Sequence, residues 1–351
     1  VVLYHYFLEI PGRQFCQFGT SGVDVFFLIS GFVMVHSWRE GQTPWDFWFK
    51  RILRIYPMYW LTLGILIVLT ALGKLPLGIS TYTSGDFLSS LFLYAQKSSN
   101  GGDFPLLPPA WTLVCEIYFY LLFGLCLWVK ILTRIIGLLG FFFLICLVIW
   151  SLGGSKNYTI SAYTNPILFE FLIGSILALV YRNSFTDPAL IWLGKWGRIV
   201  AISLIAAGLS GIFANQHHVH GIISSEEHFT YFALPATLLM GGLLIAERSG
   251  LQLKNQGVFL LGSSSYAIYL FHLLFIDFSL RVFNRLMPLA NNGIIEGLKA
   301  VSSIGIAIIG GIFIHLLIER LLIKKINGLL RNRHTFTTSP KSEVSGPAPS
   351  N

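Results

Sequence analysis

Ten apolar runs separated by short polar connections set the fold class of this chain. About 20 consecutive apolar residues cross a bilayer as a helix. The first run is shorter, and because the sequence enters it without a methionine, we expect its helix to be cut. The pattern predicts an all-α, polytopic membrane protein of about ten transmembrane helices. The runs cover about 1–8, 20–38, 57–73, 110–129, 132–152, 164–181, 198–214, 230–246, 259–280 and 297–319.

Composition excludes an ordinary water-soluble globule. Charged residues make up 11% of the chain, against about 25% in soluble domains, and mean hydropathy is +0.69. A further apolar run near 86–94 is too short to span and is expected to be re-entrant or interfacial. The four cysteines lie singly, so we predict neither a disulfide framework nor a metal site. They are Cys16, Cys115, Cys126 and Cys146.

The basic residues orient the helices. With a cytoplasmic N-terminus, seventeen of the 24 Lys and Arg residues fall on the inner side and seven on the outer side, as the positive-inside rule requires. Both termini are therefore predicted to be cytoplasmic. The net charge of +8 is read as a topology signal, and no nucleic-acid partner is expected. The polar tail 331–351 is predicted to be a disordered cytoplasmic end.

Several ionisable side chains interrupt the apolar runs, where they usually face a cavity or a partner. His5 and Asp24 flank the same short outer loop, 9–19, so the two side chains are expected to approach each other. A carboxylate beside an imidazole fixes its tautomer and raises its basicity. The alternatives are a packed histidine and a first-turn acid that complements a helix dipole.

The segment 108–120 carries a second group of polar side chains. A membrane-interface aromatic belt explains Trp111 and Tyr120. It does not explain Glu116, one helical turn deeper than Trp111, for which a polar cavity is predicted.

Two more segments suggest functional polar faces. Arg51 and Arg54 share a helix face before the third long run, either as positive-inside charges or as an anion site, since arginine forks bind phosphate. Ser265, Tyr269 and His272 recur at helical spacing in an otherwise apolar run. They predict a cavity, although serines also serve as packing contacts.

The outer loop 215–228 is rich in histidine and glutamate. Such residues can bind zinc, but a solvated loop or an acceptor contact is favoured here. The residues are His217, His218, His220, Glu226, Glu227 and His228.

Six segments in order resemble the acyltransferase-3 family of integral membrane O-acyltransferases, particularly its bacterial exopolysaccharide and O-antigen acetyltransferases. The resemblance implies a membrane domain over 1–330 in the inner membrane. It implies transfer of an acyl group, usually acetyl, from cytoplasmic acyl-CoA to a glycan hydroxyl, with no permanently bound cofactor and with polysaccharide-assembly machinery as a further partner. The segments are "LYHYF", "GTSGVDVFFLISGFVM", "FKRILRIYPMYW", "PAWTLVCEIYFY", "FEFLIGSILA" and "LGSSSYAIYLFHLLF".

The resemblance also implies residue roles. His5 matches a first-helix histidine held to be essential for catalysis, and the pair Arg51 and Arg54 is associated with the donor. Glu116 and His272 match an acid and a histidine of two further motifs. Three features depart from the family pattern. An arginine expected about ten residues before His5 would precede Val1, no proline closely follows Glu319, and we expect no appended SGNH-type hydrolase domain.

Acyl transfer to a hydroxyl requires a held donor, a deprotonated acceptor and a stabilised oxyanion. We predict His5 as general base or transient acyl carrier, oriented by Asp24 or Glu116. Tyr120, Tyr269 and His272 would line the route or polarise the carbonyl; they belong to the predicted cavity group that also includes Trp111 and Ser265. A transporter of lipid-linked glycan or another anionic substrate and a structural scaffold are the alternatives.

Overall fold

The computed structural model describes residues 1–8, 16–73, 83–97, 105–182, 195–218, 224–251, 253–286 and 293–325. Regular structure within these ranges is helical; the predicted tail 331–351 lies outside them. The α-helices are α1 (Val2–Leu8), α2 (Gly22–His36), α3 (Pro44–Ala71), α4 (Ser84–Phe92), α5 (Trp111–Cys126), α6 (Leu132–Ser151), α7 (Tyr158–Thr164), α8 (Leu168–Arg182), α9 (Lys195–Asn215), α10 (Ser225–Arg248), α11 (Gln256–Ser263), α12 (Ser265–Leu286) and α13 (Gly293–Ile314).

Nine helical segments of the described chain are long and apolar enough to cross a membrane. Together with the short α1, they confirm the predicted all-α, multi-pass architecture. The segments are Gln17–His36, Pro44–Ala71, Pro108–Val129, Leu132–Ser151, Tyr158–Arg182, Trp196–His218, Glu226–Arg248, Ser265–Leu286 and Gly293–Lys325.

Helix α3 begins well before the apolar run that predicted it. Thr43 caps the helix, its hydroxyl accepting from the Asp46 backbone N–H at 3.1 Å, and Pro44 occupies the first turn. A proline there gives up no helical hydrogen bond. The early start makes Arg51 and Arg54 part of a continuous membrane helix rather than of a connection.

The short run near 86–94 forms α4, nine residues long, or about 14 Å of helix. That length confirms that it does not span. Thr83 and Asp86 form a reciprocal capping box at its start, which satisfies two backbone donors that would otherwise lack partners.

Helices α2 and α8 cross at two glycines. A Cβ atom added at Gly31 would lie 1.9 Å from the Phe171 carbonyl oxygen, and one at Gly174 would lie 2.0 Å from that of Leu28. Ser175 also donates to the Gly31 carbonyl at 3.2 Å. Small residues permit this close backbone approach in membranes. The crossing brings the polar side chains of the two helices together.

An aromatic stack lies at the centre of the bundle and ties α2, α5 and α8 together. The Phe171 ring lies 4.6 Å from that of Phe27 and 4.5 Å from that of Phe119, measured between centroids. All three are fully buried. Burial of such rings, with offset or tilted contacts, is a strong source of packing energy. The three rings therefore hold α2, α5 and α8 together.

Helix α13 continues into a π-helical turn, His315–Glu319. Within it, His315 Nδ1 lies 2.7 Å from a carboxylate oxygen of Glu319. This pair gives Glu319, for which the sequence predicted no role, a partner on its own helix.

Candidate active site

His5 and His272 meet where α1 packs against α12. His5 Nδ1 lies 3.1 Å from His272 Nε2, and the ring centroids are 4.9 Å apart. His272 is fully buried and His5 half-buried. The structure therefore joins two predicted site residues that lie 267 positions apart in the chain.

The hydrogen bonds of this pair determine where its protons lie. His272 Nδ1 is 2.7 Å from the Tyr269 backbone carbonyl, which can only accept, so Nδ1 donates and neutral His272 presents a lone pair at Nε2. His5 Nδ1 faces that lone pair and, at 3.1 Å, the Val1 carbonyl, so it carries the proton. The free lone pair of His5 is thus on Nε2, where a general base needs it.

Tyr269 links this pair to α5. Its hydroxyl lies 2.6 Å from the Pro109 carbonyl oxygen and 2.6 Å from the Thr112 hydroxyl. The Thr112 hydroxyl also lies 3.0 Å from the Pro109 carbonyl oxygen, so that carbonyl accepts from one of the two hydroxyls, which in turn accepts from the other. These bonds fix α12 against the start of α5 one turn from His272.

Glu116 lies deeper along α5 and is buried. Its carboxylate accepts hydrogen bonds from Tyr120 and, at 3.2 Å, from Ser30 of α2. The guanidinium groups of Arg51 and Arg54 are close enough to interact with it electrostatically. Buried carboxylates need this kind of compensation.

The two arginines differ in their surroundings. Arg51 donates to the Ser37 hydroxyl at 3.2 Å, and its guanidinium lies over the rings of Phe47 and Tyr120, 5.5 and 5.7 Å from their centroids. Arg54, one turn further along α3, lines an internal cavity. Arg51 is therefore fixed by contacts with other side chains, whereas Arg54 borders the cavity.

That cavity has a volume of about 450 Å³ and lies among α1, α2, α3, α5, α11, α12 and α13. Along α5 it extends from Thr112 to Tyr120, eight residues or about 12 Å of helix. Its wall is largely apolar, but polar side chains from four helices converge on it, as is typical of ligand sites. These are Ser30, Arg54, Thr112, Glu116, Tyr120, Ser265, Tyr266 and Tyr269.

Three expectations about the site are wrong. Asp24 does not pair with His5; its carboxylate lies 3.0 Å from Nδ1 of His228, at the start of α10. Neither Asp24 nor Glu116 orients His5, because His272 occupies the position beside its imidazole. Neither Trp111 nor His272 lines the cavity; the Trp111 ring lies against those of Phe27 and His228.

The prediction of a solvated loop at 215–228 is wrong for one of its histidines. His228 is fully buried rather than solvated, while His217 and His218 are exposed, and His220 lies outside the described residues. Across the described ranges, no group of three His, Cys, Asp or Glu side chains is arranged to hold a metal ion.

Sequence reasoning missed the roles of His228 and Tyr266. A signal for the first existed: Ser224 and Glu227 form a capping box, which places His228 inside the first turn of a helix. Tyr266 donates to the Ile55 carbonyl at 2.8 Å and joins α12 to α3 beside the cavity. The residues around Tyr266 in the sequence give no comparable signal.

Comparison with known proteins identifies the family. A family model described as an acyltransferase domain, acyltransferase-3, matches residues 1–320. The chain belongs to the acyltransferase-3 family. This acyltransferase-3 protein is 31% identical over 323 residues to the exopolysaccharide production protein ExoZ of Rhizobium meliloti (strain 1021), covering 90% of this chain and 93% of ExoZ.

Further relatives carry enzymatic names. Acyltransferase MdmB of Streptomyces mycarofaciens is 26% identical, with 92% of this chain and 84% of MdmB covered. Peptidoglycan O-acetyltransferase OatA of Listeria monocytogenes is 24% identical, with 72% of this chain and 44% of OatA covered. No solved structure matches significantly. The protein is an O-acyltransferase of the membrane.

Proposed function

We propose that this O-acyltransferase moves an acetyl group from cytoplasmic acetyl-CoA to a hydroxyl of an exported or cell-surface glycan, in the inner membrane. The observation that carries the proposal is the His5–His272 pair. Helix α12, which carries His272, also lines the cavity that Arg54 and Glu116 line. The names of ExoZ and OatA, one an exopolysaccharide production protein and the other a peptidoglycan O-acetyltransferase, support a glycan acceptor.

His5 Nε2 serves as the general base. It takes the proton of the acceptor hydroxyl as the oxygen attacks the thioester carbonyl. When the carbon–sulfur bond breaks, the same nitrogen returns the proton to the departing thiolate, so the imidazole ends as it began. His272 stabilises the protonated His5 transiently, because its Nε2 lone pair accepts from His5 Nδ1.

Arg51 and Arg54 hold the donor. Coenzyme A carries phosphate groups that planar guanidinium forks bind well, and Arg54 already faces the cavity. With the charge-based topology, these arginines lie toward the cytoplasm and His5 toward the outer half of the membrane. A pantetheine arm entering past Arg54 would reach along the cavity toward α1, where the acceptor meets the thioester.

The decisive experiment measures transfer of labelled acetyl from acetyl-CoA to extracted envelope glycan, in membranes containing the full chain. We expect His5→Ala to reduce transfer by about 10³-fold, within the range of general-base catalysis. The matched control is His36→Ala, since His36 is exposed at the end of α2 and packs against Phe32 and Tyr181. Its transfer should equal that of the wild type.

Wild-type transfer by a stably inserted His5→Ala variant would contradict the catalytic role of His5. Arg54→Lys tests the donor site separately: we expect a higher KM for acetyl-CoA with little change in kcat, because lysine keeps the charge but loses the fork. Mass spectrometry of envelope glycans with and without the gene identifies the acceptor and the acyl group.

A further inference from the structure

The proposed acyl transfer places a negative charge on the thioester carbonyl oxygen, which needs a hydrogen-bond donor from the cavity wall. Ser30 and Tyr120 donate to the Glu116 carboxylate. Tyr266 donates to the Ile55 carbonyl at 2.8 Å. These three hydroxyls of the cavity wall are therefore already engaged with acceptors of the protein.

Two further hydroxyls of the wall, those of Thr112 and Tyr269, meet at the Pro109 carbonyl. The Tyr269 oxygen lies 2.6 Å from that carbonyl oxygen and 2.6 Å from the Thr112 hydroxyl, and the Thr112 hydroxyl lies 3.0 Å from the carbonyl oxygen. The Trp111 backbone N–H also donates to this carbonyl. Because Thr112 and Trp111 together can fill both of its lone pairs, the Tyr269 O–H can turn away without leaving a buried acceptor unpaired.

Tyr269 is also the wall hydroxyl of α12 that lies nearest to the histidine pair along the helix. It precedes His272 by three residues, about 4.5 Å of helix, and the two ring centroids are 6.1 Å apart. Its ring lies nearly parallel to that of Phe26, another residue of the cavity wall, with 6.1 Å between centroids. Ser265 precedes His272 by seven residues, about 10 Å of helix. The Tyr269 side chain therefore lies between the cavity and the histidine pair.

We propose that Tyr269 donates the hydrogen bond that stabilises the oxyanion, and that Thr112 accepts this bond at rest. This inference rests on the proposed function. As the acceptor oxygen bonds to the acyl carbon, the π electrons of the carbonyl move to its oxygen, and the Tyr269 O–H turns from Thr112 to that oxygen. When the carbon–sulfur bond breaks, the carbon–oxygen double bond forms again and the O–H returns to Thr112. Tyr269 keeps its proton throughout, while His5 moves the proton of the acceptor to the thiolate.

This change of partner favours the transition state over the bound substrate. A hydrogen bond to an ionised oxygen is roughly twice as strong as one between neutral groups, so leaving Thr112 is favourable only once charge has developed. The largely apolar wall strengthens the bond further, because it screens charge less than water does. An interaction made only in the transition state raises kcat and leaves substrate affinity unchanged.

Tyr269→Phe removes the O–H and keeps the ring. In the labelled acetyl-transfer assay, with acetyl-CoA varied, we expect kcat to fall about 10²–10³-fold, as on loss of an oxyanion donor, and KM for acetyl-CoA to stay within about twofold of the wild type. The matched control is Tyr59→Phe. Tyr59 is fully buried, its hydroxyl donates to the Ser90 carbonyl at 2.6 Å, and it does not line the cavity, so its kcat should equal that of the wild type.

Thr112→Val separates stabilisation of the oxyanion from positioning of α12. It breaks the same Thr112–Tyr269 hydrogen bond as Tyr269→Phe but leaves the tyrosine O–H in place. We therefore expect its kcat to fall by less than about tenfold, the cost of one lost neutral hydrogen bond. Equal losses in the two variants would overturn the inference, because they would show that the hydrogen bond acts by fixing α12. A larger loss in Thr112→Val would assign the oxyanion to Thr112 instead.

A folded Tyr269→Phe variant with the kcat of the wild type would refute the role of Tyr269. If that variant does not fold, 3-fluorotyrosine at position 269 decides. It keeps the hydroxyl and makes it a stronger donor, so kcat should rise at constant KM, and an unchanged kcat would count against the inference. Normal transfer by Tyr269→Phe together with loss in His5→Ala would leave the proposed function standing with another oxyanion donor; normal transfer by both would remove the proposed function as well.

Discussion

The two buried histidine pairs of this protein use opposite electrostatic designs. His5 and His272 form a neutral pair beside the cavity, and their protons are fixed by two backbone carbonyls and by each other's imidazole. His228 and Asp24 form a pair that is closed to solvent, and for this pair we predict an ionised carboxylate. The first pair is proposed to change its protonation during the reaction, and the second holds a buried carboxyl group against an imidazole; that contrast yields three stability predictions.

The largest expected effect is on the charged pair. His228→Ala removes the donor to a buried Asp24 carboxylate, and breaking a buried pair in this way costs about 3–5 kcal/mol. His272→Ala leaves no charge behind, so its cost should be only about 1–3 kcal/mol from a lost hydrogen bond and packing. Thermal unfolding of the two purified variants in the same detergent measures the difference. Equal destabilisation would show that Asp24 is not the anion of its cluster.

A smaller effect is expected at the crossing that carries the acidic side chains. Gly174→Ala places a methyl group against the Leu28 carbonyl oxygen, at 2.0 Å before relaxation, and such overpacking costs about 1–3 kcal/mol. The control is Gly137→Ala in α6, whose added Cβ meets nothing within 4 Å and should stabilise the helix by up to about 1 kcal/mol. A stable Gly174→Ala variant would mean that α2 and α8 separate easily.

The fold was largely predictable because each membrane helix must be continuous and apolar over a known length. The start of α3 was missed, since its first turns are amphipathic and its true signal is the cap at Thr43 with Pro44. Hydropathy therefore predicts that a membrane helix is present, whereas the residue at which α3 begins is set by its capping residues.

Candidate site residues could be named from the sequence, but their contacts could not. His5 and His272 both stood out as polar groups in apolar runs, yet no local pattern pairs positions 267 residues apart. Asp24 was assigned to the wrong histidine because proximity was inferred from a shared loop. His228 was assigned to a polar loop, although the Ser224 and Glu227 capping box placed it on a helix.

The smallest predicted effect concerns Asp24 and Glu170, for which we predict one shared proton. Asp24 Oδ1 and both Glu170 carboxyl oxygens are buried without a hydrogen-bond partner among the described residues, and two adjacent buried carboxyl groups cannot both stay ionised. Glu170→Gln supplies an amide N–H that can donate to Asp24 Oδ1 in place of that proton, so stability should stay within about 0.5 kcal/mol of the wild type. Glu170→Ala supplies no donor, and leaving a buried acceptor unsatisfied costs about 1–3 kcal/mol. Glu226→Gln, an exposed first-turn acid of α10, controls for the loss of a carboxyl group. If the glutamine variant unfolds as readily as the alanine variant, the two acids do not share a proton, and Asp24 must obtain its compensation from His228 alone.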